Sequence, residues 1–182
     1  MKLENIHETV DDTFLQRRRE QLFRQKETEA KTAQLNALHQ RIEKDRKETD
    51  QIYEENKETF QELFKFIDGP VLSGGFKTVL DLYDTLVEFS YAIHSQRPLL
   101  ELGKMSDQDI RAIKKAIEDE NLYQKAKHYQ AFLLKLRAKH PAANFVHSIE
   151  ERNMLTIAEY LPPMLKEAEK YFREHSVVAR FK

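Results

Sequence analysis

The sequence has no cysteine and no tryptophan, and of its 182 residues only four are glycine and five are proline. Without a thiol, the chain can form neither disulfides nor thiolate nucleophiles nor cysteine-ligated zinc or iron–sulfur centres. Glycine and proline together make up about 5 % of the chain, where average usage is near ~12 %. None of them precedes Gly69 and Pro70. So few turn formers leave little from which to build β-hairpins or Gly-rich ligand loops. Residues 1–10 are polar and carry Glu4 and Glu8, so they lack the apolar stretch of a signal peptide. The longest apolar-rich stretch, residues 71–93, is interrupted by Lys77, Asp81, Asp84 and Glu88, which is too much charge for a membrane span. These absences predict a soluble, cytoplasmic, all-α protein that does not associate with membranes.

Charge is abundant but balanced: 30 basic against 31 acidic residues, a net charge of −1. Its distribution is uneven. Residues 1–68 carry 13 basic and 16 acidic side chains, whereas residues 122–182 carry 11 and 6, a local excess of +5. The C-terminal third is therefore the one basic region.

Residues 6–67 are dominated by Glu, Gln, Lys, Arg, Leu and Ala. They predict one very long helix, or two nearly end to end, stopped at Asp68-Gly69-Pro70. Leu35, Leu38, Ile42, Asp45, Thr49, Ile52, Asn56, Thr59, Leu63 and Phe66 follow steps of three and four, and six of these ten are apolar. Leu35, Leu38, Ile42, Ile52, Leu63 and Phe66 thus form a candidate association seam of coiled-coil type, with Thr49 and Asn56 as polar residues that could fix register. Upstream, Ile6, Val10 and Phe14 form one stripe, and Leu15 and Leu22 lie seven apart. Residues 24–32 are almost wholly polar, which fits a solvated helix, a frayed joint or a hinge. The pattern leaves open whether this helix pairs with a second copy, folds back on its own chain, or is disordered at its start.

The remainder, residues 69–182, predicts a bundle of about four to five helices joined to the 1–68 segment at the Gly-Pro break. Residues 76–96 are apolar except for the stripe Lys77, Asp81, Asp84 and Glu88, and are expected to form the central helix. Residues 98–104 read as a loop. Ser106 is expected to cap a helix lined by Ile110, Ile113 and Ile117, ending near Asn121. Residues 122–140 continue as a helix with Leu122, Ala126, Tyr129, Leu133 and Leu136 inward. Pro141 should then open a helix over about 142–161, with Pro162-Pro163 breaking it before a last helix over 164–175. The tail, with Val177, Val178 and Phe181, is expected to fray, or to add an edge strand or dock on a partner.

Chemical motifs are scarce. The glycines at 69, 74 and 75 precede no Gly-Lys-Ser/Thr, so they form no phosphate loop. Asp81, Asp84 and Glu88 could in principle bind a metal, but no Glu-x-x-His occurs to complete a helical di-metal site. His147 and Glu151 stand four apart, and two ligands do not make a site. No Gly-x-Ser-x-Gly, His-Glu-x-x-His, kinase or dinucleotide fingerprint is present. We therefore expect no catalytic residues, no metal and no cofactor. No acidic residue falls between Asn121 and Ser148, and Lys125, His128, Lys135 and Lys139 share one helical flank with Tyr123 and Phe132 interleaved. That flank is a candidate basic binding face. The function expected from these features is a non-enzymatic protein–protein interaction module of adaptor, chaperone-like or inhibitory type, self-associating as a homodimer through its N-terminal helix. The alternative is a nucleic-acid-associated regulator or accessory factor using the basic 122–140 helix.

Overall fold

The computed structural model describes residues 4–71 and 75–175, with side chains described from Thr13 onward. The side chains of Ile6 and Val10, the central Gly74 and the apolar tail 177–181 lie outside the described residues. Among the described residues there are seven helices and no strand: α1 (Glu4–Glu55), α2 (Lys57–Ile67), α3 (Val79–Ile93), α4 (Pro98–Leu102), α5 (Asp107–Ile117), α6 (Glu120–Lys139) and α7 (Ile149–His175). The chain is all-α, with a long N-terminal helix followed by a helical bundle, as expected. None of the described helices is long and apolar enough to cross a membrane.

The chain divides into two compact units, residues 1–48 and 49–182. The boundary lies inside α1 rather than at Gly69. The reason is burial: Thr49 and Ile52 are 6 % and 2 % exposed, and Phe60, Leu63 and Ile67 of α2 are fully buried in the second unit's core. The helix also pauses at Asn56, whose backbone leaves helical geometry (φ −120°, ψ 15°). Its side-chain Nδ2 donates to the Ile52 carbonyl at 2.9 Å. This is the local competition with helical hydrogen bonding that makes Asn a poor interior residue. Asn56 thus ends α1 and does not serve as a coiled-coil register residue.

At the next junction Gly69 is required by space. A Cβ there would stand 2.8 Å from the Lys65 carbonyl oxygen. The Gly69 carbonyl in turn accepts the Val79 amide at 3.0 Å, tying the end of α2 to the start of α3. Thr78 opens α3 with a capping box: Asp81 N donates to Thr78 Oγ1 and Thr78 N donates to Asp81 Oδ2, both at 3.1 Å. Ser106 caps α5 as expected. Asp119 caps α6, so the α5–α6 joint falls two residues earlier than predicted. The stretch read as a loop contains the five-residue α4, with Pro98 at its first position.

Three expectations are corrected in the second half. Residues 140–148 are not helical, and α7 starts at Ile149. Phe145 and Val146 are both buried here from irregular, non-helical backbone. Ser148 and Glu151 then close the helix start: Glu151 N donates to Ser148 Oγ, and the Glu151 carboxylate accepts from the amides of His147 and Ser148. Second, Pro162 and Pro163 lie inside an unbroken α7. Pro163 removes the donor that would serve the Glu159 carbonyl. Gln130 Nε2 of α6 replaces it at 2.8 Å. Third, the central helix is α7, which packs on α2, α3, α5 and α6. α3 is amphipathic: Val79, Leu82, Leu86, Phe89 and Ala92 are buried, but Tyr91 is 82 % exposed and Leu80 and Val87 also face solvent.

Replacing Gln130 by Ala leaves the Glu159 carbonyl part-buried without a donor, and should lower unfolding free energy by about 1–2 kcal/mol in urea denaturation. Pro163→Ala restores a backbone donor to that carbonyl, so the Gln130→Ala cost should shrink in the Pro163→Ala background. Equal costs in both backgrounds would show that Gln130 acts by packing alone.

Candidate functional site

The predicted seam does not form one surface. Ile52 and Leu63 are core residues of the second unit, and Phe66 is half-buried against Tyr129, ring centroids 5.3 Å apart. Leu35, Leu38 and Ile42 lie in the first unit and are all more than half exposed. The first unit is a helix in which every residue from Thr13 to Glu48 is exposed. The polar band 24–32 remains helical, which removes the frayed joint. It is laced by local bonds: Gln25 to Glu29, Lys31 to Glu27, and the Thr28 and Thr32 hydroxyls to carbonyls one turn back.

Across that band the apolar side chains change face. At 100° per residue, Leu15, Leu22 and Phe23 centre roughly 150° away from Leu35, Leu38 and Ile42. The first unit therefore presents two apolar patches on nearly opposite sides. Phe23, at 72 % exposed, is the most open of them. No spacing rule applied to one heptad frame shows both patches together, because Leu15 and Leu22 fall at b positions when Leu35 is set at a.

The basic flank is present on α6, with Lys125, His128, Lys135 and Lys139 all exposed. Its aromatic component is not. Tyr123 and Phe132 are half-buried against the core; Phe132 meets Phe60 edge-on at 5.4 Å. Tyr123 carries the ammonium groups of Lys127 and Lys166 over its ring, at 5.7 and 4.7 Å. Neither ring is open for stacking on a base.

The acidic stripe of α3 is divided among other tasks. Asp81 belongs to the α3 cap, while Asp84 and Glu88 are exposed. His147 and Glu151 are also separated in role. The His147 ring lies against Tyr53, with Nε2 3.4 Å from Asp50 Oδ1, while Glu151 caps α7. Among the described residues no group of three or more His, Asp or Glu side chains is placed to hold a metal.

A hollow of about 730 Å³ opens between the end of α3, α4 and the last turns of α7, with Ile93, Pro98, Leu99 and Tyr171 among its lining. At its edge the Glu167 carboxylate bridges two α3 side chains: Ser90 Oγ donates to Oε2 at 2.8 Å, and His94 Nε2 lies 2.6 Å from Oε1. A hydrolytic triad needs imidazole between the hydroxyl and the carboxylate. Here the carboxylate is in the middle, so the histidine is not placed to take the serine proton. The cluster works as a clamp between α3 and α7. The hydrogen bond from His94 holds the Glu167 carboxyl below its ordinary range; Ser90 adds to this and partial burial opposes it. The 73- and 77-residue separations explain why no sequence motif announced it.

In comparisons with family models, curated proteins and solved structures, the chain matches none.

A carboxyl whose folded pKa is depressed stabilises the fold above its unfolded value and loses that contribution as pH falls through the folded one. Glu167→Gln should therefore be less stable than the parent above pH ~5, with the gap closing below the ordinary Glu range near ~4.3. Urea titrations over a pH series measure it, and a gap independent of pH would rule out the ionised clamp.

Proposed function

We propose that the protein is a non-enzymatic interaction module that self-associates as a homodimer through its N-terminal helix, in the manner of an adaptor, chaperone-like or inhibitory protein. The observation that carries this reading is the first unit itself. Residues 13–48 form a helix with no buried side chain, yet Phe14, Leu15, Leu22, Phe23, Leu35, Leu38 and Ile42 project from it. An isolated helix gains most of its stability in proteins by burying an apolar face. Covering a Leu or Ile side chain contributes about 1.5–3 kcal/mol, so a surface bearing several of them favours a partner. The seam narrows to Leu35, Leu38 and Ile42, because Ile52, Leu63 and Phe66 are engaged within the second unit.

A second reading rests on α6. Among the described residues, Lys125, Lys135 and Lys139 are exposed and none is within ion-pair distance of a carboxylate. Such cations can meet nucleic-acid phosphates. The inward turn of Tyr123 and Phe132 leaves this face with charge alone, which is why it ranks second.

Light scattering of the purified protein over a concentration series should show a dimer. Leu35→Ser, Leu38→Ser and Ile42→Ser combined should give a monomer that keeps a cooperative unfolding transition of the second unit, since no core residue changes, but loses the concentration dependence of the parent. A parent that stays monomeric throughout would overturn the reading. For the second reading, any nucleic-acid binding by the parent should fall with salt, and the Lys125→Glu, Lys135→Glu, Lys139→Glu variant should flatten that slope by up to about three, roughly 0.9 per lost phosphate contact. Identical binding by parent and variant would remove α6 from consideration.

A further inference from the structure

The hollow beside α4 has no role in the readings above. One wall is aliphatic: Ile93 and Pro98 are half-buried, and Leu99 is 77 % exposed. The other wall is the last turns of α7. There Tyr171 meets the core ring of Phe89 edge-on at 5.5 Å, and the His175 ring stacks on Tyr171 at 4.1 Å. The two stacked rings give this wall a flat aromatic ledge. The lysines of the same turns, Lys166 and Lys170, have partners in Glu169 and Glu174 on their own helix. What the hollow offers is therefore apolar surface, which gains free energy when covered. Its volume of about 730 Å³ falls within the ~300–1,000 Å³ of pockets that enclose a small ligand.

The sequence that follows matches these walls. His175, the last described residue, itself lines the hollow, and residues 176–182 read Ser-Val-Val-Ala-Arg-Phe-Lys. In extended geometry successive side chains alternate, so Val177, Ala179 and Phe181 share one face while Arg180 and Lys182 share the other; only Val178 departs from the pattern. The length fits as well. From Glu167 to His175 the lining of α7 spans eight residues, about 12 Å at ~1.5 Å per residue. Even if Ser176 and Val177 are taken up by the reversal, residues 178–181 run back about 10 Å at ~3.3 Å per residue. That carries Phe181 beyond the level of Tyr171, within the stretch the hollow covers. A segment tethered at the rim has an effective concentration of order mM, which favours the chain's own tail over a separate ligand.

We propose that residues 177–181 turn back from α7 as an extended segment and seat Phe181 in this hollow, between Leu99 and the Tyr171–His175 ledge. The hollow is then a receptor for an extended apolar peptide, filled by the chain itself. This is independent of self-association through the N-terminal helix.

The chain has no tryptophan, so Phe181→Trp places a unique fluorophore in the tail of the full-length protein. Its emission should be blue-shifted from that in urea, and acrylamide should quench it several-fold less. Leu99→Glu in the same background should return both readings to those of an exposed indole. Circular dichroism should show the bundle intact, since Leu99 lies outside the core cluster. A tryptophan as open in the native protein as in urea would overturn the proposal, and so would protection that Leu99→Glu leaves unchanged. Protection lost on dilution would place the tail on a second copy and overturn the intramolecular seat. A reporter in the wall gives an independent arm. Leu99→Trp should be shielded when the tail is intact and exposed when Val177→Asp and Phe181→Asp are added; equal shielding in both would likewise overturn the seat.

Discussion

Pro163 has no amide hydrogen, so a helix that runs through it leaves the Glu159 carbonyl without its normal donor. The 2.8 Å hydrogen bond from Gln130 supplies that donor from α6, and Arg137 of the same helix pairs with the Glu159 carboxylate. Both attachments converge on one residue of α7. With this point fixed, α7 remains one rod from Ile149 to His175. Its buried residues before the prolines, Leu155, Ile157, Ala158 and Leu161, stay in line with Leu165 and Ala168 after them. The other bundle helices depend on that continuity. α6 packs beside the proline pair, α3 is clamped by Glu167 one turn beyond it, and α2 and α5 lie against the same rod. A break at Pro162 would give these neighbours two surfaces with independent directions.

This also shows why a correct local rule led to a wrong element boundary. Two adjacent prolines predict a helix break because local hydrogen bonding is lost. The compensating donor lies 29 residues upstream of Glu159 and has no local signature. The converse happened at residues 142–148, where helix-compatible residues lie in a non-helical segment that buries Phe145 and Val146 in the core. Tertiary packing outweighed propensity in each case. Features settled within one turn were legible: the Ser106 cap, the stop at Asp68-Gly69-Pro70, and the inward stripe Leu122, Ala126, Tyr129, Leu133 and Leu136. Features requiring two distant segments were not. The Ser90–Glu167–His94 clamp joins residues 73 to 77 apart, and the division of the seam depends on which apolar residues the bundle claims.

The seam illustrates the limit of periodicity most directly. Leu35 to Phe66 keeps a three-four spacing through both units, yet the same spacing serves two kinds of burial. Ile52 and Leu63 turn it into a core face, and Asn56 ends the helix between them. Leu35, Leu38 and Ile42 continue the pattern where no described residue buries them. A heptad records that one side of a helix is apolar; which body it faces is decided by what else folds nearby.

The two units therefore differ in what remains to be satisfied. Among the described residues, no buried side-chain polar atom in the chain lacks a hydrogen-bond partner, and a single apolar cluster runs from Ile52 to Ala168. In the second unit α3, α5, α6 and α7 have side-chain caps, the proline defect is bridged and several aromatic rings pack against one another. The first unit has only local side-chain bonds on an exposed helix, and exposed pairs of that kind contribute about 0.2–0.5 kcal/mol each. That is too little to offset the cost of ordering so many residues. Its apolar patches gain their full value only against a complementary surface.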